Sequence, residues 1–251
     1  MIRLRDYEEV FDNFVNEKIM KAEDPRLKEE LIRRKNHSLE VERISLKISE
    51  ALDEQGRFVI ALAALFHDIG KFVDEDEDNH SIRGLKIIRE NNFFKSLDRE
   101  DYYLFIKMII LHQDKDLPHF LSSKQILYTK VLMDADRIAH MSEIAALSKK
   151  SQAEKLEFFR NIEDETISPG HLKKFIYGKT VKKPKLRNKT EIQASSMVTV
   201  IKQLSYNQSL ILVLEEQILE RIYEDMAKNK TTEMIYLMCH RVIERRLKTV
   251  K

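Results

Sequence analysis

Only 5 glycines and 4 prolines punctuate this chain of 251 residues. Tight turns between strands draw heavily on both, because glycine supplies positive φ and proline presets the first turn residue. A β-rich fold of this length would lack its turn chemistry. Long amphipathic helices need few such residues, and 43% hydrophobic against 34% charged residues is a balance that suits them. The expected fold class is all-α, with enough chain for one large domain or a domain and an extension.

Apolar periodicity divides the chain further. Residues 7–36 read as one or two charged amphipathic helices, with Val10, Phe11, Phe14, Ile19 and Met20 as their stripe, packed outside the chemical centre. A helix over 38–52 follows, with His37, Val41, Ile44 and Ile48 on one face and Gly56 as its stop. The next, over about 57–68, is apolar on nearly every side and is expected to be central and buried. An acidic loop over 72–79 precedes helices at 81–91, 101–112 and 122–147, with Pro118 breaking the chain before the last. Beyond residue 152, Phe158 and Phe159 precede Ser168-Pro169-Gly170. Lys173, Lys174, Lys179, Lys182, Lys183, Lys185, Arg187 and Lys189 then form a basic stretch that reads as an exposed connection. Helical patterns return around 198–204, 210–226 and 232–247. The expected division is a domain over 1–150 and a basic connection with a C-terminal helical extension packed on it over 151–251.

The chemistry concentrates in Leu65-Phe66-His67-Asp68-Ile69-Gly70-Lys71. An adjacent imidazole and carboxylate at the end of an apolar run, beside Ala61, Leu62, Ala64 and Leu65, are costly to bury unless they are paired or hold a cation. Around this pair stand Asn36-His37-Ser38, Asn79-His80-Ser81, Leu111-His112-Gln113 and Asp134-Ala135-Asp136-Arg137. Imidazole and carboxylate together suit divalent ions such as Mn, Fe, Co or Zn.

The ordered set His, His-Asp, His, His, Asp resembles the HD superfamily of metal-dependent phosphohydrolases over roughly residues 37–140. In overall layout the chain resembles the free-standing predicted phosphohydrolases of that superfamily. His80-Ser81-Ile82-Arg83-Gly84 and His112 are similar to segments of its HD-GYP branch, from which the chain departs at Gln113 and in lacking a Gly-Tyr-Pro segment. The resemblance implies an HD-type helical bundle in which His37, His67, Asp68 and Asp136 hold one ion. His80 and His112 add a second, with Asp68 bridging the two. Two divalent ions are expected, with Mn, Fe, Co, Ni, Zn and Mg not distinguished. A water on such ions loses a proton near neutral pH and becomes the nucleophile. The resemblance gives Lys71 a contact with the substrate phosphate, and Lys71 and Arg137 together can neutralise phosphoryl oxygens. The family pattern selects Asp136 over Asp134 as the ligand and leaves Asp134 as a surface or supporting residue.

Plainer readings stand beside these. An isolated histidine at a helix start is ordinarily a cap or a solvated residue. His119, His171 and His240 read as surface or boundary residues, and His140, though one turn from Asp136, is not assigned as a ligand. Lys71 could answer the carboxyl end of the preceding helix. The run from Asp74 to Asp78 reads as a solvated loop, with an ion funnel near His80 as the alternative. Met234, Leu237 and Met238 read as core.

The leading functional expectation is hydrolysis of a small phosphomonoester or phosphodiester, in a nucleotide or signalling nucleotide. The second is a mixed-valent di-iron oxygenase of the HD type acting on a small polyol or phosphonate, and the third a metal-dependent regulatory module. A formal net charge of +2 provides no global field for nucleic acid or a membrane. An arm attracting nucleic acid is the less favoured reading of the basic stretch, and a homo-oligomer is left open. The single cysteine, Cys239, excludes an intrachain disulfide. The first residues lack the apolar core of a signal peptide, and the longest apolar run, 58–66, is too short to span a bilayer. A cytoplasmic protein is expected.

Overall fold

The computed structural model describes residues 4–73, 79–114, 116–151, 155, 159, 166–181, 185, 186 and 188–249. Among them there is no strand, so the chain is all-α as expected. It divides into two compact units, Met1–Asp136 and Arg137–Lys251.

The first unit is organised around α3, Glu54–Phe66, in which every residue from Val59 to Phe66 is buried. The side chain of Asp53 accepts the Gly56 N–H at its start, satisfying one of the donors a helix leaves unpaired. Gly56 thus opens α3 and is not the stop of the preceding helix, α2, which ends at Ile48. The hydroxyl of Tyr128 packs so closely against Gly56 that a methyl group there would meet it at 2.3 Å. α1, Leu4–Lys21, buries Tyr7, Phe11 and Val15. Phe11 meets Phe66 edge-on, with centroids 5.4 Å apart, and Phe66 meets Phe94 at 4.9 Å. Met20, expected in the stripe, is 76% exposed. It sits in the last turn of α1, past the aromatic contacts.

α2 runs from Pro25 to Ile48 without a break, capped by Asp24 and started by proline. The expected boundary before residue 38 is absent, and His37 lies mid-helix. Leu31, Val41, Ile44 and Ile48 bury one continuous face, and α2 packs extensively on α3. Residues 25–36, expected outside the chemical centre, are thus part of the helix that carries His37 into it. A short 3-10 turn, Ile69–Phe72, follows α3, and then come α4 (His80–Glu90), α5 (Arg99–Leu111) and α6 (Ser123–Ala146). The division between the units falls within α6. The acidic run Asp74–Asp78 lies outside the described residues.

Glu42 on α2 has 6% of its surface exposed. Burial first, then the charge and hydrogen bond of Glu8 and the charge of Asp12, push its carboxyl up to about 8. Because the folded chain favours the protonated form, this stabilisation is complete below the unfolded value and is lost as pH rises through about 8. Glu42→Gln removes that dependence. The variant should melt at least about 5 °C above the parent at about pH 9 and within a few degrees of it at about pH 5. Equal melting temperatures at the alkaline end would refute the assignment.

The second unit comprises α7 (Pro169–Ile176), α8 (Lys189–Met197), α9 (Thr199–Lys202), α10 (Asn207–Glu215), α11 (Ile218–Glu224) and α12 (Lys230–Lys248). The basic stretch is not one open connection. Lys173 and Lys174 belong to α7, and Lys189 starts α8 and reaches the Asp225 carbonyl at 2.7 Å; Lys182, Lys183 and Arg187 lie outside the described residues. The helix expected over 210–226 breaks at Gln217, whose φ of 51° no helix interior accommodates. α12 is held by Thr232, Ile235, Cys239 and Ile243, whereas Met234 and Leu237, expected in the core, are 41% and 42% exposed.

Candidate metal centre

Two helices deliver a histidine in the same way. His67 is the residue just past α3, and His112 the residue just past α5. Each keeps near-helical dihedrals and turns its ring back, so that His67 Nδ1 donates to the Ala64 carbonyl at 2.7 Å and His112 Nδ1 to the Ile109 carbonyl at 2.8 Å. A carbonyl only accepts, so Nδ1 carries the proton and the Nε2 lone pair of a neutral ring is left for a cation. The carboxyl ends of both helices face the same place, and their dipoles favour positive charge there.

Asp68 is the hub of the arrangement. Its Oδ1 lies 3.1 Å from His80 Nε2 and 3.8 Å from His112 Nε2, and those two nitrogens are 3.4 Å apart. Its Oδ2 lies 3.4 Å from His67 Nε2 and 2.7 Å from Lys71 Nζ. His37 Nε2 stands 3.0 Å from Asp136 Oδ1, and His67 Nε2 3.8 Å from the same oxygen. Two trios emerge: His37, His67 and Asp136, and Asp68, His80 and His112. The four histidines and Asp68 are buried, while the Asp136 side chain is 21% exposed.

These donors fit divalent ions. Among the described residues no hydrogen bond is recorded at His67 Nε2, although it is buried. Such an atom is costly unless something else satisfies it. Burial, and after it the charge of His67, pushes His112 down to about 4 against the opposing carboxylates, so its ring is in the neutral, ligating form near pH 7. Burial would raise the Asp68 carboxyl, but His67, the His80 hydrogen bond and the Lys71 ammonium outweigh it and hold the group well below the usual carboxylate range. Asp68 is an anion ready for a cation.

The 3-10 turn carrying Asp68 abuts the start of α4 at two glycines. A methyl group on Gly70 would meet the His80 carbonyl oxygen at 2.0 Å, and one on Gly84 would meet the Ile69 side chain at 3.1 Å. This close backbone approach brings Asp68 and His80 into range, a role no sequence signal assigned to Gly84. Nor did any signal point to Arg34, one turn before His37, which donates to the Lys71 carbonyl.

The other candidates fall as follows. Lys71 is at the cluster. Arg137 donates from Nη1 to the Gln203 carbonyl at 2.7 Å. Asp134, expected as a surface or supporting residue, is fully buried. His140 is exposed and 3.6 Å from Glu143, and His119 is exposed. His171 lies 3.0 Å from the buried Glu191, and His240 3.2 Å from Glu220.

The family model of the HD domain matches residues 34–141. That match supports the HD-domain superfamily, whose members are generally metal-dependent hydrolases, and the matched segment contains His37, His67, Asp68, His80, His112 and Asp136. No curated protein and no solved structure matches the chain significantly. Among the described residues no helix is long and apolar enough to cross a membrane.

Proposed function

We propose that the chain is a two-ion phosphohydrolase acting on a phosphomonoester or phosphodiester of a nucleotide or signalling nucleotide. The observation that carries this reading is the split of the Asp68 carboxylate, one oxygen toward each trio of donors. Ions bound there supply Lewis acidity and lower the pKa of coordinated water. His37, His67 and Asp136 would hold one ion and His80 and His112 the other, with Asp68 shared. The carbonyls of Ala64 and Ile109 keep two of the rings from turning, so the donors are arranged before any ion arrives. Lys71, at 21% exposure, supplies positive charge at the partly open side of the cluster and would face the phosphoryl oxygens. Arg137, expected to share that task, donates from Nη1 to the Gln203 carbonyl.

The test is the fate of oxygen. Protein prepared anaerobically and loaded with Mn or Fe is offered nucleotides and cyclic dinucleotides in isotopically labelled water. A hydrolase releases phosphate, or leaves a phosphomonoester, carrying solvent oxygen, with either metal and without dioxygen. Dioxygen uptake coupled to loss of a polyol or phosphonate, with Mn inactive, would replace this reading by the di-iron oxygenase.

A further inference from the structure

Lys71 is delivered to Asp68 by a fixed piece of backbone. Its N–H donates to the Asp68 carbonyl at 2.9 Å, and its own carbonyl accepts from Arg34 of α2, which Glu30 holds at 2.9 Å. Only the side-chain torsions are left to vary, and they place Nζ 2.7 Å from Asp68 Oδ2. Oδ2 is also the oxygen turned toward His67, and so toward the His37–His67–Asp136 trio. A divalent ion drawing on that oxygen and the Lys71 ammonium are like charges a few ångströms apart, in surroundings that screen them poorly. One of the two must yield. The His67 and Asp68 side chains are 1% and 7% exposed and cannot retreat, whereas Lys71 is partly open to solvent and sits on a long flexible stem.

We infer that Lys71 couples ion loading to anion binding: the ion displaces its ammonium from Asp68 Oδ2, and the displaced ammonium then receives the phosphoryl oxygens of the substrate. The inference rests on the two-ion reading and adds to it a linkage between the two ligands. Before loading, Lys71 weakens the ion's hold on the site. After loading, it strengthens the site's hold on a phosphate. Reciprocity requires that phosphate tighten the ion by the same factor.

The experiment is a calorimetric Mn titration of the full chain as parent, Lys71→Met and Lys71→Arg, each with and without inorganic phosphate. Without phosphate, Lys71→Met should bind Mn at least about fivefold tighter than the parent, and Lys71→Arg, which keeps a cation there, should stay close to it. Phosphate should tighten Mn binding in the parent more than in Lys71→Met, which loses the contribution of the ammonium. A rise in melting temperature on adding Mn that is larger in Lys71→Met than in the parent gives the same answer from stability. Equal or weaker Mn binding by Lys71→Met overturns the coupling, as does a phosphate effect of the same size in both proteins. If the parent itself binds no Mn, Fe or other divalent ion, the metal-centre reading falls; if it binds Mn normally and only the Lys71 arms fail, the coupling alone does.

Discussion

Asp68→Ala will hold neither ion at native affinity and will lose turnover by about a thousandfold or more, while remaining strongly helical. Removing both oxygens takes a donor from the His80–His112 pair and another from the edge of the His37–His67–Asp136 trio. On the proposed two-ion phosphohydrolase reading, the several kcal/mol that such ions contribute to stabilising a phosphoryl transition state would go with them, and about 4 kcal/mol corresponds to roughly a thousandfold in rate. His80→Ala gives the contrast, because it touches one trio only. That variant should retain one ion and lose the other. Metal analysis of the two variants beside the parent reads this directly, with circular dichroism to confirm the fold. Two ions per chain in Asp68→Ala would dispose of the shared carboxylate, and one ion in the parent would dispose of the two-ion centre.

The next largest effect is expected at Gly70. An alanine there would set its methyl group 2.0 Å from the His80 carbonyl oxygen and 2.8 Å from the Gly84 nitrogen. Both are backbone atoms, so no side chain can swing away, and the start of α4 has to move. Overpacking of this kind costs on the order of 2–3 kcal/mol, which for a chain of this size lowers the melting temperature by roughly 5–10 °C. The displacement also takes His80 from Asp68 Oδ1, now 3.1 Å away. Gly70→Ala should therefore lose the ion of the Asp68–His80–His112 trio and keep the other. Gly170→Ala, with nothing within 4 Å among the described residues, is the neutral control. An unchanged melting temperature together with two bound ions in Gly70→Ala would show that the close approach of turn and helix is not what positions His80.

Much of the architecture could be read from residue types. The shortage of glycine and proline excludes a turn-rich β-fold, and the all-round apolar pattern ahead of His67 marks α3 as the central helix. These are local signals, set by backbone freedom and by which faces of a helix can meet water. The adjacent His67 and Asp68 announce a cation site for the same reason, since burying them unpaired is too costly.

Where local signals mislead, packing explains the outcome. Asn36-His37-Ser38 looks like the start of a helix because all three residues are polar. The helix runs through them because Leu31 on one side and Val41, Ile44 and Ile48 on the other form one buried face, and burial of that face outweighs weak local preferences. His37 therefore projects from mid-helix toward Asp136, ninety-nine residues on. The same failing hid the exposure of Met234 and Leu237, because a strip of helix does not reveal which of its faces meets a neighbour.

The amino-acid order by itself determined the helical class, the central helix and the inventory of imidazoles and carboxylates, all of which depend on interactions within a few residues. Tertiary structure alone decided that Asp68 turns one oxygen to His80 and His112 and the other to His67 and Lys71. That disposition follows from the glycine contact between the 3-10 turn and α4 and from the convergence of α2, α3, α5 and α6, elements far apart in the chain whose mutual approach is governed by side-chain packing and not by any local spacing.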